Sequence, residues 1–250
     1  MKGERAPLRG VRSFRLGGAG ASGGIAPCPP RNDRFDGHMP RAIPDFTRET
    51  AALARGALWI CGIDEVGRGP LAGPVTAAAV RLDPDRIPEG LTDSKQLSEK
   101  VRTRLAAELE DCADVSIAHA TVEEIDALNI FHASQLAMVR AAEGLGRKTD
   151  LALVDGKFVP KGLTCPAEAI VKGDCKSLSI SAASIVAKVC RDRVMWDLAQ
   201  QHPGYGWDRN AGYPTKEHLA ALRNLGVTPH HRRSFRPVHN ILYQENSITP

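Results

Sequence analysis

Four carboxylates stand where apolar runs end. Asp64 and Glu65 follow LWICGI, Asp155 follows LALV, and Asp174 follows AIVKG. Ligand-binding groups in α/β sheets collect at strand ends, so three separate arrivals of acid there point to one convergent site. Taken singly each has an ordinary explanation: Asp155 before Gly156 is a turn sequence, and Asp64 could cap a loop. Four carboxylates brought together repel one another, and their pKa values rise unless a divalent cation neutralises them. Oxygen-only donors select hard ions such as Mg²⁺ or Mn²⁺ over zinc, and such ions can activate water against a phosphodiester and stabilise the leaving oxygen. The chemistry indicated is hydrolysis at phosphorus.

Gly67-Arg68-Gly69 comes directly after the first acidic pair. Glycines flanking an Arg let backbone N–H and C=O groups approach a ligand closely while the guanidinium forks onto a phosphate. A tight turn is the simpler account of a GxG, which gains weight only from its place beside Asp64 and Glu65. A polar and basic group follows: Asp93-Ser94-Lys95, then Lys172, Lys176, Ser177 to Ser181, Ser184 and Lys188 around Asp174. Short hydroxyls and lysines near a carboxylate cluster suit a phosphate backbone. Tyr213, in Gly212-Tyr213-Pro214-Thr215, stands ahead of a helix start and could stack on a sugar or base, or simply pack. His230-His231-Arg232-Arg233-Ser234-Phe235-Arg236 is a dense basic segment whose histidines are expected to be solvated or to face phosphate.

The elements that must position these groups follow from periodicity. Leu58–Ile63, Val75–Leu82, Val115–Ala120, Leu151–Asp155 and Glu168–Val171 read as strands. Leu97, Val101, Leu105 and Leu109 mark one helix. Thr121 and Glu124 have capping-box spacing ahead of a helical face that runs from Ile125 to about Gly144. Ser184–Leu198 and a helix capped by Thr215 complete the order β-β-α-β-α-β-β-α-α, an α/β domain of two or three layers with a mixed sheet. Asp64 and Glu65, as neighbours, would point to opposite faces of a regular strand, so both serve one site only if the strand ends or distorts there.

Composition sets the limits. The 250 residues carry 33 Lys+Arg against 29 Asp+Glu, and no run approaches the length of a membrane span. Six cysteines without a C-x-x-C pair argue against a zinc ribbon, a dithiol centre or a disulfide scaffold, and favour a reducing, cytoplasmic setting. The net charge of +4 divides unevenly: +5 over residues 1–58, −6 over 59–175 and +5 over 176–250. The basic end is expected to offer a surface to a polyanion, while the acidic middle holds the carboxylates. Residues 1–45, rich in Gly, Pro and Arg, are expected to be a disordered extension, with Met39 as an alternative start; 46–240 form the catalytic domain and 241–250 a tail.

The blocks DEVGRGPLAGPVTAAAV, LTDSKQLSEK, LALVDG, VKGDCKSLSISAASIVAKVCRDR, GYGWDRNAGYPTKEH and HHRRSF closely resemble, in this order, bacterial ribonuclease HII, from about Trp59 to Val238. The resemblance implies a ribonuclease H-like fold: a five-stranded mixed central sheet flanked by helices, with a C-terminal helical part. It implies an endonuclease that cuts the RNA strand of RNA/DNA hybrids and incises 5′ to single ribonucleotides in duplex DNA, with Mn²⁺ or Mg²⁺ as cofactor. Carried over residue by residue, Asp64, Glu65, Asp155 and Asp174 would be catalytic and bind metal. Gly67, Arg68 and Gly69 would read the ribose 2′-OH, and Tyr213 would stack on the next deoxyribose. Lys95, Lys172, Ser181, Ser184 and Lys188 would contact phosphates. Ribonuclease HIII carries a different residue where Arg68 stands and a folded N-terminal domain, so HII is preferred. The runner-up, a catalytically silent nucleic-acid-binding protein, would need to have lost a carboxylate, and none is missing. The expected partners are the nucleic-acid substrates alone, bound by a monomer; no clamp-binding motif ends the chain.

Overall fold

The computed structural model describes residues 43–243. Most of the expected extension, Met39 and residues 244–250 lie outside them. In chain order the elements are α1 (Thr47–Ala54), β1 (Ile60–Val66), β2 (Val75–Arg81), α2 (Glu99–Cys112), β3 (Asp114–Ala120), α3 (Val122–Leu128), α4 (Ile130–Glu143), β4 (Leu151–Asp155), β5 (Ala167–Ile170), α5 (Leu178–Gln201), α6 (Trp207–Asn210), α7 (Lys216–Leu225) and α8 (Arg236–Tyr243). The sheet order is β3-β2-β1-β4-β5, antiparallel across β3, β2 and β1 and parallel across β1, β4 and β5. This is the expected five-stranded mixed sheet.

Both faces are covered, so the domain has three layers. On β2, Val75, Ala77 and Ala79 join Cys61 and Ile63 of β1 against Ala133, Ala137, Met138 and Ala141 of α4. The alternate residues Ala78 and Val80 pack on Ala182, Ile185 and Val186 of α5 and Leu105 and Leu109 of α2. A strand that alternates small and branched apolar residues with both faces buried reads as a continuous hydrophobic run, and VTAAAV does. The central helix α5 lies close against β1 because Gly62 has no side chain: a Cβ there would sit 2.1 Å from the Ser179 carbonyl carbon. Its start is capped twice. Ser177 Oγ accepts from the Ile180 amide at 3.3 Å, and Glu49 of α1 accepts from Ser177 Oγ at 2.6 Å and the Ser179 amide at 3.0 Å.

Four differences from the expected elements have local causes. β1 runs on to Val66 through five antiparallel rungs with β2, so Asp64 and Glu65 lie inside the strand rather than after it. The single helix expected to reach Gly144 is two, because Asn129 takes φ 67°, ψ 163° and its Oδ1 accepts from the Phe131 and His132 amides, ending α3 and capping α4. α5 begins at Leu178 rather than Ser184: its serine-rich first turns are buried all round, so tertiary packing overrides their modest helix propensity. Helices α1, α6 and α8 lacked a sequence signal long enough to register. α8 runs through Tyr243, with Ile241 and Leu242 packed beside Val238, across the boundary expected at 240. Among the described residues no helix is long and apolar enough to cross a membrane.

Candidate active site

The parallel ladder between β1 and β4 closes with Ile63 opposite Val154. The next residues along are Asp64 and Asp155, placed side by side where the two strands part. Parity sets Asp64 on the α5 face with Gly62, and Glu65 on the α4 face with Ile63. β1 ends at Val66, one residue past Glu65, so of the two expected conditions, an ending or a distorted strand, the first is met, with Asp64 buried and Glu65 partly buried. Asp174 arrives separately, on the 3₁₀ turn Gly173–Cys175 that follows β5 and precedes α5.

Each acid has its own local partner. Asp64 Oδ1 accepts from the Glu65 amide at 2.7 Å, and the nearby Ser184 hydroxyl, itself 3.0 Å from Ser94 Oγ, draws its pKa down against the effect of burial. Glu65 pairs with Arg68 at 3.2 Å. Asp155 Oδ1 accepts from the Gly173 amide at 2.7 Å. Lys95 Nζ lies 3.7 Å from Asp174 and 3.9 Å from Asp93. Among the described residues the His, Cys and carboxylate donors that meet within 4.8 Å are those of Asp93, Asp174 and Cys175, and no three of the expected four do so.

The electrostatics carry the mark of crowded acid. Burial, then the charges of Glu65 and Asp155, pushes Asp64 well above the carboxylate range. Burial raises Glu65 as well, against the pull of Arg68, and raises Asp155 against the Gly173 amide. Burial works against the charge of Lys95, but Asp93, Asp174, Asp64 and Asp155 outweigh it and raise its pKa. A cationic group is favoured at the centre of this cluster.

Beside the acids, Gly67 takes φ 92°, and a Cβ there would meet Arg191 Nε at 2.1 Å. Gly69 lies under Tyr213, whose Cε1 would be 3.2 Å from a Cβ, and the Tyr213 ring is 43% exposed. The loop between β1 and β2 is held from below by two arginines that sequence reasoning missed as positioning groups. Arg232 donates to the carbonyls of Gly67 (2.6 Å), Arg68 (3.1 Å), Gly73 (2.9 Å) and Pro74 (3.2 Å). Arg191 donates to Ala72, Pro74 and Ala211. Both are fully buried, and burial lowers Arg191 to about 10 and Arg232 to about 9, so both stay charged at neutral pH.

The other expected contacts divide. Lys172 is exposed on a left-handed residue just before Asp174, and Lys188 pairs with Asp192 at 2.7 Å. Ser184 is buried and its hydroxyl pairs with Ser94. Ser181 is wholly buried in α5, so the expected phosphate contact there gives way to packing. HHRRSF is likewise not the solvated surface expected: Arg233, Ser234 and Arg236 are exposed, while His231 and Arg232 are inside. His231 Nδ1 accepts from the Thr228 amide at 3.0 Å, which leaves its Nε2–H to donate to His218 Nε2 at 3.1 Å. Trp207 Nε1 donates to the same nitrogen at 3.1 Å, so His218 Nδ1–H donates to the Tyr213 carbonyl at 2.9 Å. The chain of bonds runs from α6 and α7 to the residue beside Gly69.

Solved structures share this architecture. Ribonuclease H2 from Pyrococcus horikoshii OT3 matches with a TM-score of 0.65 at 29% identity, over 76% of this chain and 100% of that one. The PCNA:RNase HII complex from Archaeoglobus fulgidus matches with 0.59 at 26%, over 72% and 96%. Fold and relatives together define a ribonuclease H enzyme. The family model for ribonuclease HII matches residues 61–238, and the ribonuclease HII of Cereibacter sphaeroides (strain KD131) is 70% identical over 212 residues, 85% of this chain and 100% of that one. The chain belongs to the ribonuclease HII family.

Two outcomes follow from the buried groups. Arg232→Met strands four carbonyls and should cost about 3 kcal/mol or more in urea unfolding, each buried acceptor left unpaired costing about 1–3 kcal/mol; a loss under 1 kcal/mol would show that the loop holds itself. Burial depresses His231 to about 3 and lowers His218, so their contribution to stability is complete above about pH 6.5 and is lost as pH falls toward 3. The chain with His231→Gln should therefore show a shallower stability decline over that window than the parent; identical slopes would place the acid sensitivity elsewhere.

Proposed function

We propose that the chain is an endonuclease that hydrolyses the RNA strand of RNA/DNA hybrids and incises 5′ to single ribonucleotides in duplex DNA, leaving 3′-OH and 5′-phosphate ends. The observation that carries this reading is the juxtaposition of mutually repelling acids at the β1–β4 fork with the Gly67–Gly69 loop and Tyr213. The donor set fits a hard divalent cation: all four groups are carboxylates, and burial plus repulsion raises the pKa of three of them. Asp64, Glu65, Asp155 and Asp174 would hold Mn²⁺ or Mg²⁺. The metal, when bound, would activate water and stabilise charge on the leaving oxygen.

The chain's own residues do the rest. The Glu65 and Gly173 amides orient carboxylate oxygens, and Arg68 and Lys95 are the cations nearest to where a phosphate would lie. Gly67 and Gly69 bring backbone donors and acceptors within reach of a 2′-OH, which can both donate and accept. The Tyr213 ring, held over Gly69, offers a face to the adjoining deoxyribose. Lys172 and Lys188 extend the positive rim along the phosphates.

A DNA duplex holding one ribonucleotide should be cut in Mn²⁺ or Mg²⁺ and left intact in EDTA, while an all-DNA duplex should survive both; equal cutting of the two would overturn the reading. Asp64→Asn should abolish turnover with circular dichroism and thermal midpoint retained, and residual full activity would move the metal elsewhere. Tyr213→Ala should lose about 1–3 kcal/mol of transition-state binding at single ribonucleotides, a typical stacking contribution. A lower melting temperature with an unchanged rate would return Tyr213 to packing.

A further inference from the structure

The most exposed aromatic side chain among the described residues is not Tyr213. Phe158 is 61% exposed on the loop between β4 and β5, three positions past Asp155. Its ring meets Phe131 edge-on at 5.6 Å and 87°, and Phe131 meets His132 at 5.2 Å. Phe131 in turn lies under Arg68, whose Cζ is 6.0 Å from the ring centroid and whose Nη1 is 3.2 Å from Glu65. The aromatic pair is thus joined to the carboxylates twice, through the chain to Asp155 and through Arg68 to Glu65.

Even with one edge on Phe131, Phe158 leaves 61% of its surface open to meet a ligand. The surroundings here select for a polyanion: Lys157 and Lys161 are exposed on the same loop, no acid occurs between Gly156 and Ala167, and His132 is exposed beside Phe131. Phe131 is held in place by a strained residue. Asn129 sits at φ 67°, ψ 163°, a region that side chains rarely adopt, while its Oδ1 fixes the Phe131 and His132 amides at the start of α4. Such strain costs about 1–3 kcal/mol and tends to persist at ligand-facing positions.

We propose that Phe158 and Phe131, flanked by Arg68, Lys157 and Lys161, form a second nucleic-acid subsite in which a sugar of the bound duplex packs on the Phe158 ring while the lysines take the adjoining phosphates. The inference rests on the proposed nuclease function and extends it: Tyr213 grips the substrate on one side of the carboxylates, and the ledge grips it on the α4 side. A sugar's C–H face on an aromatic ring is indifferent to base identity, so the ledge adds affinity without sequence preference.

The experiment compares steady-state cleavage and direct duplex binding in EDTA for the parent, Phe158→Ala and Phe158→Tyr, with single-ribonucleotide duplexes shortened stepwise from either end. Phe158→Ala should raise KM and the binding Kd about fivefold, a modest fraction of a full stacking contact, with kcat within about twofold of the parent. Phe158→Tyr should restore both, and the penalty should vanish once the duplex is shortened from one particular end. Unchanged KM and Kd, or a penalty independent of duplex length, would overturn the ledge. Should the parent fail to cut any ribonucleotide-containing duplex, the proposed function falls, yet the EDTA binding series still reads the ledge on its own.

Discussion

Two guanidinium groups that have no carboxylate partner among the described residues hold the β1–β2 loop in place. Arg191 and Arg232 are buried among backbone carbonyls of residues 67–74 and 211, a segment with little regular structure to satisfy those carbonyls otherwise. A charged donor to a buried carbonyl contributes about 1.5–3 kcal/mol, and several such bonds are needed to offset the desolvation of each guanidinium. The glycines and the arginines therefore specify one another: a side chain at Gly67 would displace Arg191, and removal of either arginine would leave the glycine loop with unpaired oxygens. Two fixed positive charges beneath this loop also make the local field favourable to an anion.

The same constraint explains the place of the C-terminal helices. The β1–β2 loop is tied to them by bonds from the Leu71 amide to Gly212, from the Arg232 amide to Leu71 and from the Gly73 amide to His230. Helices α6 to α8 bury Trp207, His218 and Val238, and in doing so fix Tyr213 against Gly69. The sheet carries the acids and the C-terminal helices hold Tyr213, and α5 packs against both the sheet and α6.

The acids were legible because a charged residue at the end of an apolar run is a local pattern, and the strands that carry them obey simple burial rules. Asp155 closes its strand as expected, whereas Asp64 lies inside a strand that runs further than the apolar pattern. The division of labour among basic residues was not legible. Arg232 and Arg233 are adjacent and chemically identical, yet one is wholly buried and the other exposed, a distinction set by carbonyls more than 150 positions earlier. Ser181 and Ser184 divide in the same way, since both are buried on α5 but among the described residues only Ser184 finds a hydroxyl partner, in Ser94. The break at Asn129 escaped periodicity because the apolar spacing continues across it.

Glu49 ties the first helix to the head of α5. It precedes the segment matched to the family, which starts at residue 61, yet it bonds the first turn of the helix that crosses the whole domain. A carboxylate at that helix start complements the partial positive charge of the free amides. Two turns of chain thus act as a peg on the opposite side of the sheet from α4, and a truncation at residue 61 would leave the Ser179 amide at the head of α5 without its acceptor.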